Sequence, residues 1–193
     1  MGRAPELRTE RLWLRRWIPA DLEPYAALNA DPEVMEHFPS TSSRAQSETD
    51  VEIFEARFDE HGYGLWAVEV PGIAPCIGFI GLNPVTFGAP FTPAVEVGWR
   101  LARAYWGSGY ATEGARAALR FGFDTIGLDE IVSFTTPRNR RSWHVMEKIG
   151  MTRDPADDFG HPRVAEGHPL RRHVLYRISR TTSDASLSSR SPR

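Results

Sequence analysis

Residues 95–123 read VEVGWRLARAYWGSGYATEGARAALRFGF, and this stretch decides the fold. Residues 94–101 alternate bulky apolar side chains with polar or small ones, a pattern that predicts a β-strand. A turn containing Gly107 and Gly109 follows, and a helix over about 111–126 begins directly after it. Glycines let the backbone approach a ligand closely, and the free N–H groups of a first helical turn favour an anion. The segment therefore predicts either a phosphate-binding turn or a tight strand-to-helix turn without a ligand.

Three kinds of phosphate site compete for this turn. A P-loop requires lysine and Ser or Thr after its last glycine, whereas Tyr110 and Ala111 follow Gly109. A dinucleotide-binding fold requires a third glycine where Thr112 stands. It also requires an acidic residue at the end of a second strand, whereas the acidic residues 129–130 precede their strand. The third kind is a site for the pyrophosphate of coenzyme A, and a nicotinamide-dependent oxidoreductase remains its rival.

Composition narrows the class of protein. The chain has 193 residues, which is enough for one domain of ordinary size. Its 23 Lys and Arg against 25 Asp and Glu give a net charge of −2, without the basic excess typical of nucleic-acid-binding proteins. The single cysteine, Cys76, excludes an internal disulfide framework and is expected to be a buried thiol. The chain has no apolar run of membrane-spanning length, so we expect a cytoplasmic protein that does not enter a membrane.

Periodicity predicts helices early in the chain and mostly strands after them. Helices are expected after the caps Asp21 and Asp31, over about 43–61, and from the cap Asn139 to Gly150. Strands are expected over about 11–17, 65–70, 76–82, 131–136 and 173–178, with close backbone approach at Gly78 and Gly81. This order favours an α+β domain around a mixed sheet. We expect a single domain over residues 1–180 and a flexible Ser/Arg-rich tail over 181–193.

Three blocks resemble the GNAT acyltransferase superfamily, and within it the branch of ribosomal-protein N-terminal (RimJ/RimL-type) acetyltransferases. They are TERLWLRRW (9–17) with Asp21, the segment 96–113, and NRRS (139–142) followed by EKIGM (147–151). The resemblance covers about residues 6–180. It implies a central mixed, mostly antiparallel sheet flanked by helices.

The resemblance also implies the activity of an N-acetyltransferase. Such an enzyme transfers an acetyl group from acetyl-CoA, as co-substrate and without a metal, to a primary amine by direct attack. The amine could belong to a protein N-terminus or a small molecule, and the protein could be a monomer or a homodimer. The coenzyme-binding residues that the resemblance implies are Val97, Trp99, Leu101, Gly107, Ser108, Gly109, Tyr110, Ala111, Thr112 and Asn139.

Two residues carry the chemistry in this hypothesis. Glu96 should project away from Val97, and the resemblance directs it toward the acceptor as the base. Ser142 is the implied proton donor for the leaving thiolate, because Met146 stands where many members have a tyrosine and has no proton to donate. A backbone N–H near Val97 is expected to polarise the thioester carbonyl. The alternatives are a structural carboxylate at Glu96 and a plain helix start at Asn139 and Ser142.

Some residues depart from the family pattern or stay outside it. Ala104 stands where the family usually has Arg or Gln. Because Met146 stands where many members have a tyrosine, a non-catalytic acyl-CoA-binding or sensing domain remains the alternative function. Positive charge for the remaining phosphate is expected from Arg103, Arg138, Arg140 and Arg141. Residues 154–172 match no general motif. The spacing of His161, Glu166 and His168 fits no metal site, so we expect them to line the acceptor pocket.

Overall fold

The computed structural model describes residues 5–181, which form one sheet with helices on both faces. The strands are β1 (Leu7–Arg8), β2 (Trp13–Arg15), β3 (Leu65–Glu69), β4 (Gly78–Pro84), β5 (Val95–Leu101), β6 (Glu130–Thr135), β7 (Thr152–Arg153), β8 (Phe159–Gly160) and β9 (Arg172–Ser179). The α-helices are α1 (Leu22–Ala30), α2 (Arg44–His61), α3 (Tyr110–Phe121) and α4 (Arg140–Lys148). A π-helical turn, Gly122–Ile126, continues α3.

The strands follow the order β1-β2-β3-β4-β5-β6-β9-β7, and β8 pairs with β9. Neighbouring strands are antiparallel except β5 and β6, which are parallel and are joined by the crossover through α3. Their pairing is limited to Glu96 opposite Val132, whereas β6 stays paired with β9 along its whole length. The predicted α+β fold with a mixed, mostly antiparallel sheet is confirmed.

Because side chains alternate between the two faces of the sheet, α3 packs against one face and α2 packs against the other. In β4, Ile80 packs against α3, where a Cβ on Gly114 would lie 2.4 Å from its side chain. The adjacent Phe79 points the other way, and its ring lies 5.6 Å from that of Phe54 in α2. Both layers are therefore apolar where they meet the sheet. Within residues 5–181, none of the helices combines the length and the apolar character needed to cross a membrane.

The predicted helix over 43–61 is confirmed with its two ends. Ser43 precedes α2 and forms a reciprocal capping box, in which its hydroxyl accepts from the Gln46 N–H and its own N–H donates to Gln46 Oε1. Gly62 ends the helix at φ 75°, a backbone angle that favours glycine. The close approach predicted at Gly81 is also present, because a Cβ there would lie 2.1 Å from the Gly64 carbonyl oxygen.

The helix predicted after Asp21 is confirmed as α1, but neither Asp21 nor Asp31 caps an α-helix with its side chain. The Asp21 carboxylate does not cap α1; it accepts two hydrogen bonds from the buried guanidinium of Arg15, at 2.7 and 2.8 Å. A buried arginine requires such a partner, and this need outweighs the local capping preference. Asp31 begins no helix, since it accepts from the Glu33 N–H within a series of turns. The predicted tail lies outside the described residues apart from Thr181, so the domain boundary remains a prediction.

Replacement of Gly81 by alanine tests the contact between β3 and β4. The new methyl group would overlap the Gly64 carbonyl, so Gly81→Ala should lower the free energy of unfolding by about 2–3 kcal/mol. Gly88→Ala is the matched control, because nothing lies within 4 Å of a Cβ there, and it should change the value by less than about 0.5 kcal/mol. Urea denaturation measures both. Equal stability of the two variants would contradict the close approach.

Candidate active site

A cleft of about 860 Å³ opens where β5 and β6 separate. One side is formed by Trp99 and Leu101 of β5, and another by the turn before α3 together with the start of α4. The cleft continues past Glu96 to α2 and the loop after β8. The predicted site residues that line it are Glu96, Trp99, Leu101, Gly107, Gly109, Tyr110, Ala111, Thr112, Asn139 and Ser142.

The turn before α3 is suited to hold an anion. Gly107 and Gly109 have φ angles of 77° and 84°, which side-chain-bearing residues rarely adopt. Gly109 precedes the first residue of α3, and its position has no side-chain cap. The N–H groups of residues 110–112 therefore have no partner within the helix, and they lie at the positive end of its dipole. These residues line the cleft, so an anion there would meet free donors.

The side chains of two predicted coenzyme-binding residues lie outside the cleft. Val97 is fully buried in the main core, because strand alternation points it away from Glu96. Ser108 is exposed, and its carbonyl accepts a hydrogen bond of 2.9 Å from Arg11 Nη1. Any contact of these two residues with a ligand in the cleft would have to come from the backbone.

The backbone of β5 presents peptide groups to the opening. The Ala102 N–H donates to the Ile77 carbonyl on the β4 side at 2.8 Å, so alternation turns the peptide groups of Trp99 and Leu101 toward the opposite side. Pairing with β6 ends at Glu96, and these groups therefore face the cleft. The Leu101 carbonyl accepts from Trp106 Nε1 at 2.8 Å. By the same alternation, the peptide group of Val97, near which an oxyanion donor is expected, also faces the β6 side.

The start of α4 serves as a helix cap and as a wall of the cleft. Asn139 Oδ1 accepts from the Ser142 N–H at 3.2 Å, which satisfies a donor of the first turn. Its Nδ2 donates to Thr135 Oγ1 in β6 at 3.0 Å, so the same side chain fixes α4 to the edge of the opening. Ser142 and the buried Met146 both line the cleft. Asn139 therefore does cap α4, and both Asn139 and Ser142 still line the cleft.

The predicted basic residues are mostly elsewhere. Of Arg103, Arg138, Arg140 and Arg141, only Arg141 lines the cleft, where its guanidinium lies 4.7 Å from the ring centre of Trp106. Arg103 pairs with Glu33 instead. A second groove of about 610 Å³ borders the other side of the glycine turn, and its cations are Arg11, Arg116, Arg120 and Lys148. Sequence reasoning missed this set because three separate segments contribute to it.

Glu96 lies half-buried at the apex of the opening. Burial raises the pKa of its carboxyl from 4.5 to about 8, and the positive charge of Arg57 opposes this rise. Arg57 projects from α2, hydrogen-bonds to Asn83 Oδ1, and has its own pKa lowered by burial. Asp50, two turns earlier on the same face of α2, accepts from the Tyr25 hydroxyl at 3.2 Å. Asp50 and Arg57 both line the cleft.

Aromatic rings form the far end of the cleft. His161 lines it beside Phe87, at a ring separation of 4.5 Å, and its pKa is lowered to about 4 by burial and by nearby positive charge. Glu166 and His168, predicted to line the same pocket, do not border the cleft. Cys76 is buried outside it, and burial raises the pKa of its thiol to about 12. Within residues 5–181, no group of three or more His, Cys, Asp or Glu side chains could hold a metal ion.

Comparison with known proteins places the chain in a family. Residues 11–152 match the family model described as an acetyltransferase (GNAT) domain. The chain belongs to the GNAT acetyltransferase family. The matched range includes Glu96, the glycine turn and α4, whereas His161 and His173 at the far end of the cleft lie outside it.

Individual relatives agree with this assignment. The FsC-acetyl coenzyme A-N(2)-transacetylase of Aspergillus fumigatus is 33% identical over 156 residues, which are 77% of this chain and 65% of that protein. An acetyltransferase structure from Agrobacterium tumefaciens has 31% identity and a TM-score of 0.72, with 91% and 95% of the two chains covered. RimJ of Mycobacterium smegmatis, solved with CoA-disulfide, has 18% identity and a TM-score of 0.71 over 96% and 93% of the chains. At that identity, the similarity to RimJ concerns the GNAT fold.

The raised pKa of Glu96 predicts a change in stability with pH. Its folded pKa of about 8 lies above its ordinary value of 4.5, so the protonated form stabilises the fold at low pH. This contribution is lost as the pH rises from 4.5 through 8. The Glu96→Gln variant has no carboxyl group to ionise there and avoids this loss of stability. The difference in free energy of unfolding, variant minus wild type, should therefore rise by about 2 kcal/mol or more between about pH 5 and pH 9.

Urea unfolding at both pH values measures this difference. Glu52→Gln is the control, because Glu52 is an exposed glutamate on α2 and should follow the wild type at both values. The same pH dependence in all three proteins would show that Glu96 titrates as an ordinary carboxyl group.

Proposed function

We propose that the chain is an N-acetyltransferase that transfers the acetyl group of acetyl-CoA to a primary amine by direct attack. The observation that carries this proposal is one continuous cleft that contains both the glycine turn before α3 and the carboxyl group of Glu96. An anion site and a base with access to the same space are the two elements that such a transfer requires.

Acetyl-CoA fits the first part of the cleft as a substrate. The free N–H groups of residues 110–112 suit its pyrophosphate, and nothing lies within 4 Å of a Cβ position at Gly107, which leaves room for a close approach. The peptide groups of Trp99 and Leu101 suit the amides of its pantetheine arm. The name of the Aspergillus relative and the CoA-disulfide bound to RimJ support this choice of substrate.

Glu96 is the proposed base. Its carboxylate accepts the proton of the amine, directly or through water, while the nitrogen forms a bond to the thioester carbonyl carbon. The carbon–sulfur bond then breaks, and the thiolate takes a proton from the Ser142 hydroxyl, which regains a proton through solvent while Glu96 releases the proton of the amine. A carboxyl pKa of about 8 matches an α-amine, whose pKa is about 7.7–8.0, better than it matches a lysine side chain near 10.4.

A non-catalytic acyl-CoA-binding domain is the second candidate. Met146 favours it, because this buried residue lines the cleft where a tyrosine could donate a proton. Acceptor-dependent release of free thiol from acetyl-CoA separates the two candidates. The nicotinamide-dependent oxidoreductase is excluded, because the chain belongs to the GNAT family.

Replacement of Gly109 tests acetyl-CoA binding. Gly109→Val forces a β-branched residue into a φ of 84° and places a Cβ 3.3 Å from Arg11 Nη2, at the N-terminus of α3. Affinity for acetyl-CoA, measured by calorimetry, should fall at least about tenfold, or by 1.4 kcal/mol. Gly72→Val is the control, since it imposes the same strain at a φ of 77° far from the cleft. If the wild type and Gly109→Val bound acetyl-CoA with equal affinity, the coenzyme would not bind at this turn.

Replacement of Glu96 tests the base. With saturating acetyl-CoA, Glu96→Gln should lower kcat by about 10²-fold or more, because a positioned base contributes at least that much. For an alkylamine acceptor with a pKa of about 10, the slope of log kcat/KM against pH should decrease by about one unit near pH 8 in the wild type. The variant should lose this inflection and keep its affinity for acetyl-CoA. An inflection that persists in the variant would assign the titration to another group.

A further inference from the structure

We propose that the acceptor is a primary amine joined by a short linker to an aromatic ring. The ring would bind among Phe87, Phe134, His161 and His173, which we call the ring pocket and which line the far end of the cleft. This inference rests on the proposed N-acetyltransferase function and specifies its acceptor.

The register of the sheet places the ring pocket on the same face as Glu96. Glu96 is paired with Val132, so their side chains project from one face, and Phe134 lies two residues further along the same strand. Phe134 is paired with Leu175, and His173 lies two residues before Leu175 in β9. Glu96, Phe134 and His173 therefore project from the same face of the sheet, on the successive strands β5, β6 and β9.

The four rings leave part of their surface uncovered. Phe87 lies 4.5 Å from His161 and 5.7 Å from Phe134, and His173 lies 5.0 Å from His161. The buried Phe159 closes the back of the group, with its ring centre 5.6 Å from that of Phe134. Each of the four rings is only half-buried and borders the cleft, so a further ring could stack on them at the separations that aromatic pairs prefer.

Charge in this region favours an uncharged ring over a second amino group. Burial lowers the pKa of both histidines, so their rings are neutral near pH 7. Permanent cations nearby include Arg163, 5.7 Å from the ring centre of Phe87, Arg171, which donates to the His161 carbonyl, and Arg57 next to Glu96. These guanidinium groups would repel the second, protonated amino group of a polyamine. The carboxyl group of Glu96 instead suits the single reacting amine, with the ring beyond it.

Matched amines test the proposal. The panel consists of 2-phenylethylamine, 2-cyclohexylethylamine and butylamine, together with tripeptides that begin with Phe or Ala. Values of kcat/KM are compared per neutral amine at saturating acetyl-CoA. We expect 2-phenylethylamine to exceed 2-cyclohexylethylamine by about fivefold or more, because ring contacts contribute beyond buried area. The tripeptide pair shows whether the same ring can come from a peptide N-terminus.

Variants locate the ring. Phe134→Leu in β6 and His161→Leu in the loop after β8 should each lower kcat/KM for 2-phenylethylamine by about fivefold or more and change that for butylamine less than twofold. Glu166→Gln is the control, because Glu166 is exposed in the same loop and does not border the cleft. Circular dichroism and acetyl-CoA binding show whether each variant is folded. Because the two variants change different elements, misfolding of one of them does not decide the test.

The outcomes separate this inference from the proposed function. Equal or better turnover of cyclohexyl and butyl amines would overturn the aromatic acceptor and leave the N-acetyltransferase standing. A phenyl preference that both leucine variants retain would overturn the location of the ring. Acetyl-CoA binding without thiol release for any amine in the panel would overturn the transferase function and the inference together.

Discussion

A single parallel pairing, between Glu96 of β5 and Val132 of β6, joins the two antiparallel halves of this sheet. Parallel strands need a long crossover, and α3 provides it on the face opposite Glu96. Because the pairing stops after one position, the two strands diverge and leave peptide groups of β5 facing a cleft. The interruption therefore creates the part of the cleft where we propose that the coenzyme binds, and the last paired residue is the proposed base.

Desolvation gives the cleft its electrostatic character. Glu96 lies between the sheet and α2, where burial disfavours its charged form. The Arg57 guanidinium favours the charged form and so offsets part of the rise in the pKa of Glu96. The same effect keeps His161 and His173 neutral, so the two ends of the acceptor region differ in character. One end holds a carboxyl group and a guanidinium, and the other holds stacked rings. A substrate with an amine at one end and a ring at the other would match both.

Local sequence patterns predicted what depends on neighbours in the chain. Spacing alone predicts the strand, glycine turn and helix of residues 95–123 and the helix over 43–61. It also predicts the cap Asn139 and the placement of Glu96 opposite to Val97. The basic groove beside Gly109 and the ring pocket depend on strand register and on contacts between distant segments. No short-range pattern records these contacts, which is why the predicted arginines were mostly misplaced.

The ion pair between Arg103 and Glu33 lies beside the cleft, where exposure to solvent weakens it. Both side chains are more than half exposed, at 61% and 54%, and they connect the turn after β5 to the segment between α1 and α2 that borders the cleft. Exposed ion pairs contribute at most about 1 kcal/mol, and salt screens them further. The pair therefore contributes little to holding this segment, which is anchored instead by the buried side chains of Val34 and Met35. Because the burial of apolar surface is not screened by salt, this wall of the cleft should keep its place when the ionic strength rises.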